Sequence, residues 1–66
     1  MSGQELKKAR LRVNLTQRRL GELLGYEGKS AEVVVQLWEY DKQPIPVKHY
    51  RALAKLLELT LDDIVP

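Results

Sequence analysis

Cysteine is absent from the 66 residues of the sequence, and histidine occurs once. Without thiols the chain has neither disulfides nor thiolate metal ligands, and His49 has no second ligand at metal-binding spacing. No uninterrupted apolar run exceeds three residues, which is far too short to cross a bilayer, and the amino end does not resemble a secretory signal. We therefore expect a cytoplasmic protein that uses neither a membrane nor a cofactor, in which His49 is an ordinary surface residue.

The residue patterns that serve catalysis are missing as well. The sequence has no constellation of serine, cysteine and histidine, no glycine-rich loop to hold a phosphate and no metal-ligand spacing. Asp62 and Asp63 are adjacent, but they follow Thr60 and fit the first turn of a helix, where carboxylates complement the helix dipole. We expect a protein that is not an enzyme.

Charge is distributed unevenly along the chain, although the net charge is only +2. Residues 1–30 contain seven basic and three acidic side chains, a balance of +4, whereas residues 31–66 contain four basic and six acidic ones, a balance of −2. A folded domain with this distribution has a dipolar surface, and its basic side suits a polyanionic partner.

Helix start and stop signals recur in the first half of the chain. Ser2 with Glu5 three residues later fits a capping box, and Asn14 tolerates the left-handed conformation that ends a helix. Thr16 fits the cap of a second helix, which Gly25 would end. Apolar residues recur at helical spacing on the expected inner faces: Leu6, Ala9 and Val13 on the first helix, and Leu20, Leu23 and Leu24 on the second.

A third helix is predicted around the β-branched run at residues 33–35. Such a short run is compatible with a strand or a helix, but the spacing of Ala31 and Trp38 on either side favours a helix. Ser30 fits its cap, and the helix would run to about Tyr40.

Two further helices complete the predicted fold. Pro46 fits the first position of a fourth helix, and Thr60 with Asp63 fits the cap of a short fifth one. Gly21 lies inside the second helix, where glycine costs roughly 1 kcal/mol relative to alanine, so we expect two helices to cross closely there. The sequence thus predicts one all-α domain, residues 1–66, of five short helices.

Several short motifs occur in the order of a known family. They are Leu15-Thr16-Gln17, Leu20-Gly21, Leu23-Leu24-Gly25, Trp38-Glu39, Lys42, Pro46 and Leu53-Ala54-Lys55-Leu56-Leu57. In this arrangement, over nearly the whole chain, the sequence resembles the lambda-repressor/Cro-like (Xre) helix-turn-helix family. The resemblance implies that helices two and three form the helix-turn-helix and that helix three, the recognition helix, lies in the major groove of DNA. It also implies an ion pair between Arg10 and Glu39 and a phosphate contact by Gln17.

Three features depart from the family's pattern. Six residues, 25–30, separate the expected second and third helices, where the family usually has three or four, so we expect a variant with a longer turn. Asp41 stands where the family often has glycine, and aspartate adopts the left-handed conformation at modest cost. Residues 32–37 are largely apolar, where the family usually has several polar side chains.

The outer face of the third helix carries the residues that would read bases. We expect base contacts from Glu32, Val33, Gln36 and Leu37. Gln36 suits adenine, and Val33 and Leu37 suit the thymine methyl group, which favours AT-rich sites. Phosphate contacts are expected from residues near helix ends, which supply affinity and register. They are Gln17, Arg18, Lys29, Tyr40, Lys42, Gln43 and Lys48.

These features favour a sequence-specific DNA-binding regulator of transcription, of the repressor type, that binds double-stranded DNA as a homodimer. The first candidate for the dimer interface is the apolar set near the carboxyl end, namely Leu59, Leu61, Ile64 and Val65. An alternative function is a protein-interaction module on the same fold, such as an antitoxin-like or anti-repressor partner. In that case the apolar Val33 and Leu37 would bind a protein instead of a DNA groove.

Overall fold

The computed structural model describes all 66 residues as five α-helices and one 3₁₀ turn, with no strand. The helices are α1 (Gly3–Arg12), α2 (Gln17–Leu23), α3 (Gly28–Glu39), α4 (Tyr50–Leu56) and α5 (Leu61–Ile64), and the 3₁₀ turn is Val47–His49. The radius of gyration is 10.4 Å, close to the roughly 11 Å of a compact chain of this length. The all-α fold of five helices is confirmed, and the run at residues 33–35 is helical. None of the helices has the length and hydrophobicity needed to span a bilayer.

Three of the predicted helix caps are present. Ser2 and Glu5 form both hydrogen bonds of a capping box, and Thr60 and Asp63 form the same pair of bonds at α5. The Thr16 hydroxyl accepts the backbone N–H of Arg19 at 3.0 Å. These caps satisfy backbone donors that have no partner inside the helix, and so they fix where α1, α2 and α5 begin.

Helices α1 to α4 all end in the same backbone motif, in which a left-handed residue reverses the chain. The left-handed residues are Asn14, Gly25, Asp41 and Glu58. At the end of α2, the N–H of Gly25 donates to the carbonyl of Glu22 and the N–H of Tyr26 donates to that of Gly21, each at 3.0 Å, which is the Schellman arrangement. The stops predicted at Asn14 and Gly25 and the left-handed Asp41 are confirmed, whereas nothing in the sequence marked Glu58.

The third helix begins earlier than predicted. It starts at Gly28, with Glu27 as an extended N-cap residue that makes no side-chain cap bond, so Ser30 lies inside the first turn and is not the cap. Because the Schellman motif has already reversed the chain at Gly25, only residues 24–27 separate α2 from α3. The prediction of a six-residue turn and of a recognition helix from Ser30 is therefore wrong, and the observed turn has the usual length for a helix-turn-helix.

Helices α2 and α3 cross at Gly21, as predicted. A Cβ atom at this position would collide with the backbone carbonyl of Ala31 on α3. The absence of a side chain at Gly21 allows the two helix backbones to approach this closely, which offsets the lower helix propensity of glycine. The crossing fixes where the first half of α3 lies relative to α2.

The core lies between all five helices and shows where the predicted inner faces were wrong. It is formed by Leu6, Ala9, Leu20, Val35, Trp38, Leu53, Ala54, Leu57 and Ile64. Leu23 was expected in this core but is 40% exposed, because Leu20 and Leu24 cover the inner face of the short α2.

Pro46 was expected inside the fourth helix, but it is extended and precedes the 3₁₀ turn. Ile64 is 1% exposed, so it is a core residue and cannot belong to a dimer interface.

Candidate nucleic-acid interface

Helix α3 has one face in the core and one face open to solvent. Ala31, Val35 and Trp38 are at most 2% exposed and hold the inner face against the other helices. On the opposite side, Val33 is exposed, Leu37 is half-buried, and Tyr40, just after the helix, is 70% exposed. The 12-residue helix is about 18 Å long, so it presents an outer face on the scale of a few base pairs.

A buried ion pair anchors the carboxyl end of α3. Arg10 Nε lies 2.6 Å from Glu39 Oε2, and Arg10 Nη2 lies 3.3 Å from Glu39 Oε1. Arg10 Nη1 also donates to the carbonyl of Leu15 at 2.8 Å, so a single guanidinium joins α1, the turn before α2 and the end of α3. The structure thus brings together the two residues that the family resemblance pairs. Removing one partner of such a buried pair typically costs about 3–5 kcal/mol.

A second attachment lies beside this ion pair and was not predicted. The backbone N–H of Gly3 donates to Asp41 Oδ1 at 2.9 Å, and a Cβ atom on Gly3 would collide with the carbonyl of Glu39. The amino end of α1 therefore packs directly on the carboxyl end of α3, which fixes that end from a second direction.

The ion pair continues as a chain of polar side chains between α2 and α3. Gln17 Nε2 donates to Glu39 Oε1 at 3.0 Å, and Gln36 Nε2 donates to Gln17 Oε1 at 3.2 Å and to Glu32 Oε2 at 3.4 Å. Lys29 Nζ completes the chain with a bond to Glu32 Oε2 at 2.9 Å. Both amide hydrogens of Gln36 are therefore engaged within the protein, and a bidentate contact with adenine would have to displace one of them.

The remaining predicted phosphate contacts are exposed. Arg18 lies 3.5 Å from Glu22, and its neighbour Arg19, which is not among the predicted contacts, lies 3.7 Å from the same residue. Such exposed helical pairs contribute only about 0.2–0.5 kcal/mol, which leaves the Arg18 guanidinium available. The backbone N–H groups of Lys42 and Gln43 both donate to the carbonyl of Leu37, so these residues turn back towards the end of α3. Lys48, Lys42, Gln43 and Tyr40 are all exposed.

The expectation that His49 is an ordinary surface residue is wrong. His49 is 8% exposed, its Nε2 lies 2.9 Å from the hydroxyl of Tyr26, and its ring centroid lies 5.7 Å from that of Trp38. Burial, and secondarily the charge of Lys48, lower the pKa of His49 below its ordinary value of 6.5. A sequence signal for this burial exists, because His49 precedes the core residues Leu53 and Leu57 by four and eight positions, the spacing of one helix face.

An open apolar groove runs along the outer face of α3. It has a volume of about 330 Å³, and it is lined by Tyr26, Lys29, Ser30, Val33, Val34 and Leu37. Lys29 is the only charged residue of this lining, and no carboxylate contributes to it. We call this feature the α3 groove. It includes Val33 and Leu37, for which the sequence suggested either a base contact or a protein contact.

No group of three or more histidine, aspartate or glutamate side chains is placed to hold a metal ion. Comparison of the chain with protein-family models, curated proteins and solved structures found no match. The case for a function therefore depends on the geometry of α2, α3 and the residues around them.

Proposed function

We propose that the protein is a sequence-specific DNA-binding regulator of transcription, of the repressor/Cro type, which inserts α3 into the major groove of double-stranded DNA. The observation that carries the proposal is the way in which the other helices hold α3 and leave one of its sides exposed. Its inner face is held by the Gly21 crossing and by the Arg10–Glu39 pair, while Val33 and Tyr40 on its outer side are 37% and 70% exposed. The major groove, about 12 Å wide, admits an α-helix presented in this way.

Basic side chains near the two ends of α3 support the same proposal. Lys29 lies in its first turn, Lys42 follows its last turn, and Lys48 lies in the 3₁₀ turn next to His49. Arg18 adds a cation on the exposed side of α2. Phosphates flank the major groove on both sides, and lysine or arginine near each end of an inserted helix would neutralise them.

The proposal is tested by fluorescence anisotropy of labelled duplexes selected from a random library, at several salt concentrations. Each phosphate that a cation neutralises contributes about −0.9 to the slope of log affinity against log salt. Lys42→Gln should reduce the steepness of this slope by about 0.9. Lys55→Gln is the matched control, because Lys55 is an exposed lysine at the far end of α4 from His49, and it should leave the slope unchanged. Absence of binding, or binding without salt dependence, would contradict the proposal.

Binding as a homodimer is part of the proposal. With Ile64 in the core, Leu61 and Val65 remain as the exposed apolar residues of the carboxyl end, at 44% and 49% exposure, and Leu59 is half-buried beside them. A symmetric pair of α3 helices would reach half-sites one helical turn of DNA apart, about 34 Å. The selected duplexes should then contain two inverted half-sites at that spacing, and Leu61→Ser should weaken binding to the paired site more than to a single half-site.

The α3 groove favours a second candidate function, the protein-interaction module. A groove of aliphatic side chains on an otherwise polar surface also suits a protein ligand. The double variant Val33→Ser/Leu37→Ser separates the two functions. Loss of DNA affinity in this variant supports the DNA-binding proposal, whereas loss of a protein partner with DNA affinity unchanged supports the interaction module.

A further inference from the structure

We infer that the α3 groove recognises the C5 methyl group of pyrimidines, so that the protein gains affinity from thymine relative to uracil and from 5-methylcytosine relative to cytosine. This inference rests on the proposed function, since it specifies what α3 reads in the major groove. It adds a property that the DNA-binding proposal does not contain, namely sensitivity to methylation of cytosine.

The groove offers apolar contacts at the place where base edges would lie. Val33, Val34 and Leu37 line it together with the Tyr26 ring. A water molecule occupies about 30 Å³, so a groove of about 330 Å³ has room for several groups of methyl size. The C5 methyl is the one apolar group that a base pair presents in the major groove, and it matches these side chains.

Three polar side chains of α3, those of Lys29, Glu32 and Gln36, are by contrast bonded within the protein, whereas the hydroxyl of Ser30 stays open to solvent in the groove lining. Gln36 donates both amide hydrogens to Gln17 and Glu32, and Glu32 accepts from Lys29 as well. In this arrangement the helix has few free hydrogen-bond donors for base edges, because those of Gln36 are used internally. Discrimination through apolar contact with methyl groups then becomes the main means of reading sequence that the outer face retains.

The charges around the groove indicate DNA as its occupant. Lys29 lines the groove, the backbone of Lys42 is bonded to the carbonyl of Leu37, and Lys48 lies next to His49, whose ring is bonded to Tyr26. Lys29 is thus the one charged residue of the lining, in an exposed pair with Glu32 at 2.9 Å, and the backbones of Lys42 and Lys48 adjoin residues that line the groove or are bonded to its lining. An apolar surface bordered by cations complements methyl groups flanked by phosphates, and an apolar protein segment has no need of such a border.

The test uses the duplex selected from the random library and changes one methyl group at a time. Each thymine is replaced singly by deoxyuridine, and each cytosine singly by 5-methylcytosine, and affinities are measured by anisotropy at one fixed salt concentration. We expect at least one thymine whose replacement weakens binding about fourfold, the factor that corresponds to burial of one methyl-sized group. A cytosine that faces the groove should show a gain of similar size on methylation.

A substitution in the groove tests whether its side chains cause the preference for thymine over uracil. Val33→Thr keeps the shape of the side chain but replaces a methyl group by a hydroxyl, so it should reduce the thymine-to-uracil ratio towards one. Val47→Thr is the matched control, because Val47 is an exposed valine outside the groove, and it should leave the ratio unchanged. Thermal melting of both variants shows that they remain folded.

The possible results test the recognition of methyl groups and the DNA-binding proposal separately. A protein that binds duplexes with the expected salt dependence, but is indifferent to every uracil and every methylcytosine, overturns this inference and leaves the proposed function standing. A methyl effect that persists in full in Val33→Thr also overturns the assignment to the groove. A protein that binds no duplex, or one whose Val33→Thr variant loses only a protein partner, overturns both.

Discussion

The ring of His49 and the hydroxyl of Tyr26 share a hydrogen bond of 2.9 Å between Nε2 and Oη, although the two residues are 23 positions apart. Tyr26 lies in the turn between α2 and α3, and His49 lies at the start of α4. The bond therefore joins the turn between α2 and α3 to the second half of the chain. Both rings pack with Trp38 at centroid distances of 5.7 to 6.1 Å, which makes an aromatic cluster at this junction in which Trp38 and His49 are buried and Tyr26 is half-buried.

The buried His49 predicts that stability depends on pH. Its pKa in the folded protein is below 6.5 because burial disfavours the charged ring, so the unfolded chain binds more protons at mildly acidic pH. The contribution of the neutral His49 ring to the free energy of unfolding should thus be fully present above pH 6.5. As the pH drops below that value, the free energy of unfolding should fall by at most about 1.4 kcal/mol per pH unit. Urea titrations between pH 5 and 8 measure this slope.

In the same pH range, the titration of His49 is separate from that of the carboxylates. Glu5, Glu32 and Asp63 have pKa values lowered from 4.5 or 3.8 by hydrogen bonds to Ser2, Lys29 and Thr60, respectively, so their contributions are lost only at lower pH. The variant His49→Gln should remove the dependence between pH 5 and 7. A wild-type stability that is flat over this range would show that His49 is not buried as a neutral ring.

The Arg10–Glu39 pair predicts a large loss of stability in Arg10→Met. The substitution leaves the Glu39 carboxylate buried without its cation, which should cost about 3–5 kcal/mol in urea unfolding. It should also weaken DNA binding, because the end of α3 loses its anchor. Arg19→Met is the control, since the Arg19–Glu22 contact is exposed and its loss should cost less than about 0.5 kcal/mol. Equal stability of the two variants would contradict the structural role of Arg10.

The crossing of α2 and α3 predicts that Gly21→Ala is destabilising. In an open helix this change would be favourable by about 1 kcal/mol, but here the new methyl group would meet the backbone of Ala31, which cannot yield as a flexible side chain would. Glu22→Ala, at the next position on the exposed side of α2, gives the effect of alanine without the collision. A Gly21→Ala protein that is as stable as wild type in urea unfolding would disprove the close crossing.

The fold could be predicted where it depends on local chemistry. Ser2, Thr16 and Thr60 cap helices through bonds to residues three positions away, and Gly21 is costly enough in a helix to indicate a close contact. The start of α3 was missed because Ser30 has the right chemistry for a cap, yet the turn at Gly25 had already placed the cap residue, Glu27, three positions earlier. A short sequence can thus contain more than one possible cap residue, and tertiary contacts determine at which of them the helix begins.

The candidate site could be predicted only in part. The sequence identifies the outer face of α3 through its helical periodicity. It does not show that Gln17, an expected phosphate contact, is bonded to both Gln36 and Glu39, because those bonds join two helices whose relative position follows from packing. Similarly, the α3 groove depends on how the turn places Tyr26 beside Val34 and Leu37. This information lies in tertiary contacts and not in the spacing of residues along the chain.

The most direct measurement of the central claim is a titration of the ¹⁵N-labelled protein with the selected duplex, followed by amide chemical shifts. If α3 binds in the major groove, the largest shifts should fall on its outer face and on the adjoining basic turn, at Lys29, Val33, Leu37 and Lys42, while the exposed face of α1 around Lys7 stays unchanged. Shifts confined to α1 and α5, with the α3 resonances unmoved at saturation, would contradict the account.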